Sequence, residues 1–142
     1  SAASDVYKRQ EALKGLALRG KRILLVEDNA LNREIAAELL SVTGAEIETA
    51  ENGREALNTV RSRPGEFDLV LMDIQMPVMN GYDAAKKIRQ MDDPQKADIP
   101  IIAMTANAFS EDKQAALDAG MNDHVAKPIN MNILVPTIRK YL

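Results

Sequence analysis

Short apolar runs and helix-period patterns alternate five times along this chain, and no other feature limits its fold so strongly. Ile23-Leu24-Leu25-Val26 is the first run, and it ends in Glu27-Asp28-Asn29. Leu31, Ile35 and Leu39 then recur at helical spacing as an apolar stripe, with Arg33, Glu34 and Glu38 on the other side, until Gly44 ends the helix. Glu46 to Ala50 alternates in strand fashion, Asn52-Gly53 turns the chain, and Ala56, Leu57 and Val60 mark a second helix that stops before Pro64-Gly65. The central strand is expected over Phe67–Asp73, with Pro77 stopping the extended backbone. Asn80-Gly81 opens a third helix carrying Ala84, Ala85 and Ile88, which Asp92-Asp93-Pro94 breaks into a polar loop. Ile99–Met104 is a fourth apolar strand, followed by Thr105-Ala106-Asn107. Ser110 can cap a fourth helix, with Glu111 and Asp112 in its first turn and Gly120 just past its end. His124-Val125-Ala126 is a fifth short strand ending at Lys127-Pro128, and Leu134, Ile138 and Leu142 outline the last helix.

Strands alternating with helices imply a parallel sheet covered on both faces, with right-handed crossovers. In such folds ligands sit outside the carboxyl ends of the strands. Strand one brings Glu27 and Asp28 to that rim, strand three Asp73, strand four Thr105 and strand five Lys127. Strand two offers nothing comparable, which suits an edge position.

At 142 residues, 46% hydrophobic and 27% charged, the chain fits one soluble domain. A net charge of -3 disfavours a nucleic-acid surface. The absence of cysteine excludes disulfides, thiolate catalysis and cysteine-ligated metals, and agrees with a reducing cytoplasm. Runs such as Ile23–Val26 are far too short to span a bilayer, and no signal-peptide pattern is present, so membrane contact by this domain is not expected. Residues 1–20 read as a linker or partly helical arm interrupted by Gly15 and Gly20, of which the first ten could be of artificial origin.

Three carboxylates on one rim repel one another unless a cation joins them or a pKa rises. Magnesium suits the set, being a hard ion that takes one or two carboxylates, waters and phosphate oxygens. Asp28 and Asp73 are the expected direct ligands, Glu27 acts through water, and the Gln75 carbonyl is a further oxygen. A carboxylate can attack phosphorus to give an acyl phosphate, with Mg²⁺ and the Lys127 ammonium supplying charge and the Thr105 hydroxyl a hydrogen bond. Each residue has a plainer reading: a helix cap at Glu27-Asp28-Asn29, a loop acid at Asp73, a strand-end threonine, a surface lysine and a half-buried strand histidine. Their convergence on successive strand ends favours the chemical reading.

The residues resemble the receiver domain of two-component response regulators. Glu27-Asp28-Asn29, Met72-Asp73-Ile74-Gln75-Met76-Pro77, Thr105-Ala106 and Lys127-Pro128 match its signatures in order and spacing over roughly residues 21–142. The fuller patterns, through Met79-Asn80-Gly81 and Met104-Thr105-Ala106-Asn107-Ala108, are most similar to receivers of hybrid histidine kinases. The resemblance implies a doubly wound (βα)5 fold, a parallel sheet of flavodoxin-like order 2-1-3-4-5. It implies that Asp73 takes a phosphoryl group from phosphohistidine on a histidine kinase or phosphotransfer domain. Glu27, Asp28, Asp73 and the Gln75 carbonyl would hold Mg²⁺, Lys127 would pair with the phosphoryl group, and Lys127-Pro128 would be cis. Thr105 would move toward the phosphate and free space for position 124.

Three departures from the usual pattern concern four positions. His124 stands where tyrosine or phenylalanine is usual, which makes the switch weaker or pH-sensitive. Gln75 and Asn107 occupy positions that tune loss of the phosphoryl group. Pro136 lies inside the last helix, which is expected to kink or start late. The rival readings are a haloacid dehalogenase-like phosphatase or phosphotransferase, a flavodoxin-like cofactor binder, and an interaction module without chemistry. The first needs an acid at position 75, where this chain has Gln75, and the second needs a phosphate loop that Glu27-Asp28 would repel. As a receiver the chain would not be a free-standing enzyme beyond phosphorylating and dephosphorylating itself. A homodimer through the fourth helix, fifth strand and fifth helix is a further expectation. With its start at Ser1 and end at Leu142 the chain reads as a stand-alone regulator or a piece of a hybrid kinase, whose parent could be membrane-anchored.

Overall fold

The computed structural model describes residues 17–106 and 110–142. Five strands form one sheet: β1 (Arg22–Val26), β2 (Glu46–Ala50), β3 (Leu69–Asp73), β4 (Ile101–Thr105) and β5 (Asp123–Ala126). Their spatial order is β2-β1-β3-β4-β5, and every neighbouring pair is parallel. The helices are α1 (Ala30–Ser41), α2 (Gly53–Ser62), α3 (Gly81–Arg89), a four-residue α4 (Pro94–Ala97), α5 (Ser110–Asp118) and α6 (Met131–Arg139).

Alternation along the strands divides the core in two. Leu24, Val26, Val70 and Met72 point to one face, beneath Val60 of α2, Ile88 of α3 and Ala116 of α5. Ile23, Leu25, Leu69 and Leu71 point to the other, beneath Leu40 of α1 and Leu134 and Ile138 of α6. Both faces of β3 and β4 are buried throughout, which is why those runs are apolar without alternation. Leu18 joins the second cluster, with its N–H donating to the Thr43 carbonyl at 3.0 Å.

Four asparagines start the helices. Asn29, Asn52, Asn80 and Asn130 each accept a hydrogen bond from a backbone N–H two or three residues on, ahead of α1, α2, α3 and α6. Asp93 does the same for α4 with Pro94 in its first turn, so the stretch expected as a plain polar loop contains a helical turn. The last helix starts at Met131 rather than late, and Pro136 sits inside it at the loss of one backbone donor.

The apolar stripe of α1 is not its buried edge. Ala36 and Leu40 enter the core, whereas Leu31, Ile35 and Leu39 are 64%, 47% and 41% exposed. The apolar surface of the helix is wider than the contact the sheet offers, and the surplus faces out beside the carboxyl ends of the strands.

Candidate metal and phosphoacceptor site

Parallel pairing puts the chemistry-bearing residues on one rim. Val26 aligns with Met72, so Glu27 and Asp73 leave adjacent strands at the same level. Asp73 aligns with Met104, the residue before Thr105. Thr105 aligns with Ala126, the residue before Lys127. Glu27, Asp73 and Thr105 are all but fully buried, at 3%, 3% and 1% exposure, while Asp28 is open to solvent.

One carboxylate oxygen from each of Glu27, Asp28 and Asp73 lies within 4.8 Å of the other two. Lys127 Nζ donates to Asp73 Oδ2 at 2.7 Å and to Glu27 Oε2 at 2.9 Å. The other Asp73 oxygen accepts from the Gln75 N–H at 3.2 Å. One ammonium against three clustered acids leaves an excess of negative charge that a hard divalent cation would balance, and the donors present are all oxygens. The residues therefore fit a metal of that class.

Burial pushes the Asp73 pKa up, and the neighbouring Glu27 adds to the rise, against the opposing effect of the Lys127 bond. Burial also works against the Lys127 charge, but its bonds to Asp73 and Glu27 outweigh that and hold its pKa above the ordinary lysine value. Because folding raises the Asp73 pKa, the folded state carries a penalty that grows as pH rises above the ordinary value of 3.8 and is complete above the folded value. Metal-free Asp73→Asn is therefore expected to melt above wild type at neutral pH by roughly 2–4 °C, a change of about 1 kcal/mol. The gain should vanish toward about pH 4, and saturating Mg²⁺ should shrink or reverse it by stabilising wild type. Paired melting curves across pH check this.

The remaining expected residues divide. The Gln75 side chain is exposed on the loop after β3, and its backbone follows Asp73 into the site. The Lys127–Pro128 peptide is cis. His124 aligns with Ala103, and its Nδ1 lies 3.7 Å from Asp123 Oδ1. Asp123 Oδ2 accepts from the Tyr141 hydroxyl at 3.0 Å. Asn107 lies outside the described residues.

Arg33, read from the sequence as part of the solvent side of α1, belongs to the site's support. Its Nη1 donates to the carbonyls of Glu27 and Asp28 at 2.9 and 3.4 Å, and its side chain is only 18% exposed. The available signal was its place five residues after Asp28, where the first turns of α1 bring a long cation back over the strand end. The outward edge of α1 was the second omission. Ile35, Leu39, Met104, Lys127 and Pro128 line a cleft of about 440 Å³ that reaches Glu27.

A doubly wound parallel sheet with a buried acid, two neighbouring acids and a lysine on its carboxyl rim defines a small set of phosphoryl-handling domains. Residues 23–139 match the response regulator receiver domain, and the chain belongs to that family. It is a receiver domain of two-component and phosphorelay signalling. The chain is 38% identical over 134 residues to the sensor histidine kinase GacS of Pseudomonas protegens, covering 94% of this chain and 14% of that one. It is 41% identical over 132 residues to hybrid signal transduction histidine kinase B of Dictyostelium discoideum, covering 86% of this chain and 7% of that one. The chain thus spans a small part of these relatives. Among solved structures, a receiver domain of a Pseudomonas aeruginosa sensor histidine kinase, with magnesium in its active site cleft, superimposes with a TM-score of 0.77 at 35% identity. That likeness covers 86% of this chain and 97% of the other. The Saccharomyces cerevisiae Ssk1 receiver, solved with the phosphotransfer protein Ypd1, gives a TM-score of 0.79 at 32% identity, covering 87% and 90%.

Proposed function

We infer that Asp73 is the phosphoacceptor of this receiver and that Glu27, Asp28, Asp73 and the Gln75 carbonyl hold Mg²⁺. The observation that carries the reading is the buried Asp73 carboxylate, bonded to Lys127 at 2.7 Å, with two further acids within 4.8 Å. An Asp73 oxygen attacks the phosphorus of a phosphohistidine. A P–O bond forms as the P–N bond breaks, and the imidazole nitrogen leaves with the electron pair and takes a proton from solvent. Bound Mg²⁺ supplies charge stabilisation to the phosphoryl oxygens. Lys127 exchanges its bond to Asp73 for one to the phosphoryl group, and Thr105, next on the rim, donates to another oxygen. With Gln75 in place of a second acid, the chain lacks the group a haloacid dehalogenase-like enzyme would use.

The donor is a histidine-bearing helix of a kinase or phosphotransfer domain, docked on the open edge of α1. Leu31, Ile35 and Leu39 present an exposed apolar strip that leads into the cleft beside Lys127, which fits an amphipathic helix laid against it. A cytoplasmic setting fits the absence of cysteine, and no helix among the described residues is long and apolar enough to cross a membrane.

The test is transfer from a phosphorylated histidine phosphotransfer domain in the presence of Mg²⁺. Ile35→Glu is expected to slow it by about 100-fold, given the ~2–4 kcal/mol carried by a central interface residue. Labelling by a small phosphodonor should stay at the wild-type rate. Equal loss with both donors would place the defect in the site rather than in docking.

A further inference from the structure

The turn after the edge strand carries none of the residues assigned above, yet both loops that hold the metal acids and the Gln75 carbonyl lean on it. Glu51, Asn52 and Gly53 lead from β2 into α2. Glu51 Oε1 lies 3.6 Å from Nη2 of Arg33, the guanidinium that holds the Glu27 and Asp28 carbonyls. Asn52 caps α2 by accepting from the Glu55 N–H at 2.8 Å. The Gly53 N–H donates to the Met79 carbonyl at 3.0 Å. Met79 belongs to the segment between β3 and α3 that carries Gln75.

That segment holds a conformation it would not keep unaided. Val78 has a φ of 69°, a left-handed value that a β-branched side chain disfavours, and Met79 N–H folds back onto the Pro77 carbonyl at 2.7 Å. Gly81 N–H ties its far end to the Ile74 carbonyl at 3.2 Å, and Gly53 ties its middle to α2. The Gly53 contact leaves no room for a side chain. A Cβ there would stand 2.4 Å from the Met79 oxygen and 3.1 Å from both the Asn80 oxygen and Ala84 Cβ. Two of these atoms are backbone and the third is on α3, so the contact between the Gln75 segment and the start of α2 would have to shift.

We propose that Gly53 is a positioning residue for the metal: through its hydrogen bond to Met79 it fixes the β3–α3 segment and with it the Gln75 carbonyl. The inference rests on the Mg²⁺ reading above. Calorimetric titration of the full chain with Mg²⁺ tests it in Gly53→Ala, Val60→Ala and Asp28→Asn. Gly53→Ala should bind Mg²⁺ about tenfold more weakly, the size of effect seen when the support behind a ligand is lost. Val60→Ala, a core truncation further along the same helix, should lower the melting temperature and leave the affinity unchanged. Wild-type affinity in Gly53→Ala, or an equal loss in Val60→Ala, overturns the inference while the metal reading stands. Wild-type affinity in Asp28→Asn overturns the metal reading and this inference with it. Should Gly53→Ala fail to fold, amide exchange on the wild-type chain decides: Mg²⁺ should slow exchange of the Gly53 N–H, and a rate indifferent to Mg²⁺ overturns the inference.

Discussion

Lys127→Met will destabilise the metal-free protein, tighten rather than weaken its hold on Mg²⁺, and cut the link between phosphorylation and structural change. The Lys127 ammonium is bonded to both Glu27 and Asp73, so its loss leaves two buried carboxylates facing each other. Removing one partner of a fully buried pair costs about 3–5 kcal/mol. Lys127 is partly exposed and Asp73 can take a proton, so about 2 kcal/mol is expected, or roughly 5 °C in Tm. The raised Lys127 pKa sets the pH range. Its contribution is complete below the ordinary lysine value of 10.5 and is lost only as pH rises through the higher folded value, so the deficit should persist throughout the neutral range. Mg²⁺ should restore much of the Tm, because it replaces the missing positive charge. Amide spectra of the phosphorylated variant should match its own unphosphorylated spectra. A wild-type response to phosphorylation in this variant would remove Lys127 from the switch.

Gly81→Ala will cost more than any other single methyl group on this rim. A Cβ at that position would lie 2.3 Å from the Asp73 carbonyl oxygen and 2.9 Å from Ile74 Cα. Both are backbone atoms, one of them in the proposed phosphoacceptor, and neither can step aside as a flexible side chain does. Alanine otherwise favours a helix start over glycine by up to about 1 kcal/mol. The clash should exceed that gain, giving a net loss of about 3 kcal/mol and lower phosphorylation at temperatures where the protein remains folded. An unchanged Tm would mean that α3 moves outward freely, contrary to the bond from Gly81 N–H to the Ile74 carbonyl.

The strands and the rim were legible because they depend on short-range pattern. A run such as Leu69–Met72, buried on both faces, has to be apolar throughout, and an acid directly after it has to stand at the end of the sheet. Boundaries shifted where capping chemistry intervened. Phe67 and Asp68 precede β3 rather than open it: the Arg22 N–H donates to the Asp68 carboxylate at 2.9 Å, while the Asp68 N–H donates to the Arg22 carbonyl at 2.8 Å. Thr105 closes β4 rather than following it.

What the pattern could not show was which of two adjacent helix edges meets the sheet. Leu31, Ile35 and Leu39 form as good an apolar stripe as Ala36 and Leu40, one position round. Only the packing of α1 against β1 and β2 decides that the smaller pair is buried. The support for the site was hidden for a related reason. Arg33 and Gly53 act through main-chain carbonyls, and a carbonyl leaves no mark in a sequence. His124, conspicuous in the sequence at the switch position, has its Nδ1 3.7 Å from the Asp123 carboxylate, whose other oxygen accepts from the Tyr141 hydroxyl.

The central claim is that Asp73 accepts a phosphoryl group with the help of Mg²⁺. Mass spectrometry of the chain after incubation with a small phosphodonor and Mg²⁺ tests it most directly. The expected result is one phosphoryl group on the peptide that contains Asp73, absent when Mg²⁺ is chelated and absent in Asp73→Asn. A wild-type chain that stays unlabelled, or an adduct of equal yield in Asp73→Asn, would contradict it.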